Sequence, residues 1–83
     1  MSEPEPGAVD HYVRDLLHLL IERAREARAS RDAPSSVSEG FEAGRHMAYY
    51  EMVSTALGNL KSFGLSPSQF DVTEDFSPDR ELA

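Results

Sequence analysis

His11, Asp15, His18 and Glu22 recur at i, i+4, i+7 and i+11. On a helix that spacing gathers two imidazoles and two carboxylates within an arc of about 60°. Imidazole and carboxylate are the side chains that bind zinc, nickel or iron. All four fall on the polar side of their helix, opposite its apolar arc. Metal sites in helical bundles project inward and draw ligands from several helices. We therefore read the group as a solvated face with i,i+4 pairs and expect no cofactor; metal binding through it is the alternative.

Glu42, Arg45, His46 and Tyr49 form a second polar group, and these lie within an apolar arc. A Glu/His pair at i, i+4 can act as a general acid–base couple or supply half of a metal site. An enzyme also needs a pocket that fixes its reacting groups, which two helices do not enclose. The expectation is a protein that is not an enzyme, with these residues meeting a partner.

The elements that carry both groups are two helices. Across 8–31, Val9, Tyr12, Val13, Leu16, Leu17, Leu19, Leu20, Ile21 and Ala24 fill an arc of roughly 200° at ~100° per residue. A surface helix needs an apolar stripe of little more than ~100°. Asp32-Ala33-Pro34-Ser35 breaks the pattern, and Ser36 with Glu39 matches a capping box. A second helix over 37–63 places Phe41, Tyr49, Tyr50, Met52, Val53, Ala56, Leu57, Leu60 and Phe63 on one face. Gly64 suits the left-handed position after a helix, with Leu65 returning to Leu60. The short connection makes the helices antiparallel neighbours.

Three segments follow: an acidic, disordered N-terminus at 1–7, a hairpin at 8–63 and an acidic tail at 64–83. Ser66-Pro67 and Ser77-Pro78 each place Ser at an N-cap and Pro at N1, so a one-turn helix is expected at both. Phe70, Val72, Phe76 and Leu82 punctuate the tail and either dock on the hairpin or bind a partner.

With 83 residues and no Cys, the chain has no disulfides to stabilise it. It is 40% apolar and 28% charged, with a net charge of −7. That charge opposes approach to nucleic acid or an anionic membrane. Arg23, Arg25, Arg28 and Arg31 spread around the helix and form no phosphate-binding stripe. The charge sits mostly at the ends, −2 before Ala8 and −4 after Phe63. The longest apolar run, Leu19-Leu20-Ile21, is too short to span a bilayer, and the acidic start has no signal-peptide core. A cytoplasmic bacterial protein is expected.

The fold class is all-α, an antiparallel hairpin. Its over-wide apolar arcs imply a homodimer closing a four-helix bundle. The expected dimer interface is Val13, Leu16, Leu17, Leu20, Ile21, Val53, Leu57 and Leu60. Phe41, Arg45, His46, Met47, Tyr49, Tyr50 and Met52 are the expected partner-binding residues, rich in the Met and Tyr of interaction surfaces. Gly40, Gly44 and Ala48, four apart, suggest close approach of another helix. The function expected is a regulator or inhibitor that binds another protein, such as an antiactivator of a transcription regulator. A structural subunit of a larger complex is a further alternative. Glu39–Ser54 resembles segments of small bacterial helical proteins, and that resemblance implies no activity.

Overall fold

The computed structural model describes residues 7–32 and 39–83. It is all-helical, with no strand among the described residues. Helix α1 spans Ala8–Asp32 and α2 spans Glu39–Ser62. The expected break at 33–35 and the Ser36 cap lie outside the described residues. No described helix is long and apolar enough to cross a membrane.

Arg31 contacts His46, while Leu20, eleven residues earlier, lies beside Ala48, Met52 and Ala56. As numbering rises along α1 it falls along α2, so the two helices run antiparallel. Helix α2 closes as its sequence requires. Gly64 takes φ 73°, Leu65 N–H donates to Leu60 O at 2.9 Å, and Gly64 N–H donates to Lys61 O at 3.0 Å. This is the Schellman pair, and it satisfies carbonyls that the helix end leaves free.

The tail docks. Residues 65–83 form a strap across one face of the hairpin, with a 3-10 turn at Pro67–Phe70 and a short helix α3 at Pro78–Glu81. Both Ser-Pro pairs start a turn. Ser66 N–H donates to Gln69 Oε1 at 2.6 Å, and Ser77 Oγ accepts from Arg80 N–H at 3.4 Å. Asp71 holds the left-handed φ of 58° that ends the first turn. That conformation is tolerated by Asp better than by most non-glycine residues.

Phe70, Val72 and Leu82 of the strap join Leu17, Ile21 and Ala24 of α1 and Val53 and Leu57 of α2 in one core. Fully burying a side chain of this size contributes about 1.5–3 kcal/mol. The strap is therefore a third layer, and it accounts for half of the over-wide arcs. Leu17, Ile21, Val53 and Leu57, expected at a dimer interface, are buried within the single chain instead. They pack against strap residues whose apolar spacing carries no clear period.

Candidate functional site: a strapped face and a bare face

Backbone carbonyls of the strap are held by three polar side chains of the hairpin. His18 Nε2–H donates to Phe70 O at 3.1 Å, and Arg28 Nη1 donates to Glu81 O at 3.0 Å. His46 Nε2–H donates to Leu82 O. His46 is only 4% exposed, and Arg31 Nη1 lies 3.1 Å from its Nδ1. A guanidinium only donates. Nδ1 therefore accepts, which places the ring proton on Nε2, where Leu82 O receives it. Asp32 in turn accepts from Arg31 Nε at 2.8 Å, and this bond, together with the Arg31 and Arg28 charges, holds the Asp32 carboxyl below its ordinary range. Asp32, Arg31, His46 and Leu82 O thus form one chain of hydrogen bonds from α1 through α2 to α3.

These contacts reassign the polar groups noted in the sequence. His18 turns to the strap, while His11, Asp15 and Glu22 remain exposed. Among the described residues, no three His, Cys, Asp or Glu side chains are gathered as a ligand set. Glu42 pairs with Arg45 at 3.5 Å rather than with His46. The Arg45 guanidinium lies 5.8 Å from the Tyr49 ring centroid, within cation–π range. Both nitrogens of His46 are committed inside the chain, so its ring does not face a partner. Phe41, Met47 and Met52 are exposed; Arg45, Tyr49 and Tyr50 are half-buried.

The opposite face of the hairpin has no cover in the chain. Val9, Tyr12, Leu16 and Leu19 are 74%, 66%, 42% and 52% exposed and follow one another at spacings of three, four and three. At ~100° per residue they share one stripe, turned away from the side of α1 that meets the strap. Met52 and Phe63 of α2 lie on the same side of the hairpin and are also exposed. Between the helices runs an open groove of about 530 Å³, lined by Leu20, Ala48, Met52 and Ala56 with Glu51, Thr55 and Asn59. Val13, Leu20 and Leu60 are half-buried at the seam between the helices.

Sequence reasoning missed Val9, Tyr12, Leu19 and Phe63 as members of an exposed patch. It placed all but Phe63 in the same arc as Leu17 and Ile21, and the strap divides that arc. Gly40, Gly44 and Gly58 face open space, with no atom of another element within 4 Å of the Cβ each lacks. The close helix approach expected at Gly40 and Gly44 is not made within the chain. Comparison of the chain with protein-family models, curated proteins and solved structures gives no match.

Proposed function

We propose that the protein is a non-enzymatic interaction module that works through the bare face of its hairpin. The first occupant of that face is a second copy of the chain, closing a four-helix bundle. One observation carries this: Val9, Tyr12, Leu16 and Leu19 form an exposed apolar row at the spacing of a helix–helix seam, on the face the strap leaves open. A contiguous patch of this kind is uncommon on a monomeric soluble protein. The patch is also self-complementary. A leucine row borders a groove with Ala48 and Ala56 in its lining, so two copies related by a two-fold axis each supply a ridge and a groove.

The same module serves as a regulator or inhibitor of another protein. Phe41 and Met47, toward the other end of α2, are 66% and 52% exposed and provide apolar contacts for such a partner. Nucleic acid and membrane are not among the proposed partners, given the net charge of −7. A cytoplasmic setting fits the same proposal.

The test is a pair of charge insertions on the row, Leu16→Glu and Leu19→Glu, followed by sedimentation velocity across a concentration series. Both variants are expected to keep wild-type helix content and to sediment as monomers where the wild type sediments as a dimer. Variants that sediment like the wild type would remove the bare face from the interface.

A further inference from the structure

The strap and the C-terminal half of α2 enclose a cleft of about 330 Å³ on the side of the hairpin away from the bare face. Small-ligand sites span about 300–1,000 Å³. Tyr50, Leu57 and Phe76 give the cleft apolar walls. Ser54 lies among them, and its Oγ is shielded from solvent with no hydrogen-bond partner among the described residues. Such an unpaired buried hydroxyl calls for an explanation.

Gly58, one turn beyond Ser54, lines the same cleft. A glycine inside a helix destabilises it relative to alanine. A Cβ at Gly58 would meet nothing within 4 Å, so no packing clash requires the glycine. The missing side chain leaves the cleft open. Glu74 stands at the rim, its carboxylate accepting from Ser66 Oγ and, at 2.7 Å, from Ser68 Oγ. Those two hydroxyls, with the Lys61 charge nearby, hold the Glu74 carboxyl below its ordinary range and fix it as an anion. Asp79 adds a second carboxylate, and Lys61 is the one cation in the lining. Lys61 offsets one acid, and the rim keeps a net negative charge.

We propose that this cleft binds a small aromatic amine bearing a hydroxyl group. The ring lies against Tyr50 and Phe76, the ammonium meets Glu74 and Asp79, and the hydroxyl pairs with Ser54 Oγ. Aromatic walls and a fixed carboxylate both favour a cation. The site goes beyond the proposed interface and does not depend on it.

Titration of the isotope-labelled protein with tyramine, followed by amide chemical shifts, tests the proposal. Saturable one-site binding is expected, with shifts centred on residues 50–61 and 74–79. Phenethylamine, which lacks the hydroxyl, is expected to bind about fivefold more weakly, and 4-hydroxyphenylacetate at least about tenfold more weakly. Ser54→Ala is expected to erase the difference between the two amines. Gly58→Leu, which suits the helix and fills the cleft, is expected to abolish binding while helix content is retained. Leu16→Glu is expected to bind tyramine as the wild type does, which separates this site from the bare face. No saturable shift with tyramine up to about 10 mM, equal binding of the carboxylate, or undiminished binding by Gly58→Leu would overturn the proposal.

Discussion

His46 Nε2–H donates to the carbonyl oxygen of Leu82, joining α2 to the end of α3. The bond lies beside the side chain of Leu82, which is fully buried, so a polar and an apolar anchor coincide at one point of the strap. His46→Ala removes the donor, leaves Leu82 O without it, and frees Arg31 from Nδ1. Leaving such a group unsatisfied costs about 1–3 kcal/mol. A loss of about 2 kcal/mol in chemical denaturation is expected, with faster amide exchange at 80–83. Unchanged exchange there would mean that the strap is held without His46.

Leu82→Ala tests the apolar half of that anchor. Truncating a buried leucine costs about 2–5 kcal/mol, a large part of the stability of so small a chain. Leu19→Ala, made on the bare face, is expected to change monomer stability by less than about 0.5 kcal/mol. Denaturant midpoints of the two variants, measured under dilute conditions, provide the comparison. Equal losses would contradict the division into a strapped and a bare face.

Much of this organisation was legible in local sequence signals. Ser66-Pro67 and Ser77-Pro78 marked the two strap turns because an N-cap oxygen and a proline at N1 act within a few residues. Gly64 marked the end of α2 for the same reason. What did not show was which part of each wide arc would meet the strap. Phe70, Val72 and Leu82 have no shared period, and their contacts with Leu17 and Val53 cross long stretches of chain. His46 stood out as a polar residue inside an apolar arc, a sign of burial. Its partner is a backbone carbonyl, however, and an acceptor that every residue possesses leaves no trace in composition or spacing.

Acid should loosen the strap through Glu74 and the Arg31 end through Asp32. Hydrogen bonds from Ser66 and Ser68 hold the Glu74 carboxyl below its ordinary 4.5, and the bond from Arg31 holds that of Asp32 below 3.8. A carboxyl with a depressed folded-state pKa adds stability above its unfolded-state value and loses it as pH falls through the folded value. The melting temperature is therefore expected to fall as pH drops below about 4.5, and Glu74→Gln to fall less steeply there. Both groups are exposed, so added salt should flatten the Asp32 contribution. An identical acid slope in Glu74→Gln would contradict the assignment.

Gly44→Ala should stabilise the monomer. Gly44 is an exposed residue inside α2, and an added Cβ meets no atom within 4 Å. Alanine is favoured over glycine in a helix interior by about 1 kcal/mol. A higher denaturation midpoint is expected, measured in the Leu16→Glu background so that association does not contribute. A lower midpoint there would mean that Gly44 fits against an element that the single chain does not place beside it.

The bare face is the centre of the proposal, and its occupant is best tested by mass. Size-exclusion chromatography with light scattering should return twice the mass of one chain for the wild type. For Leu16→Glu it should return the mass of one chain with unchanged helix content. A wild type that elutes as a stable monomer at high protein concentration, with no binding of an apolar-surface dye, would contradict the claim.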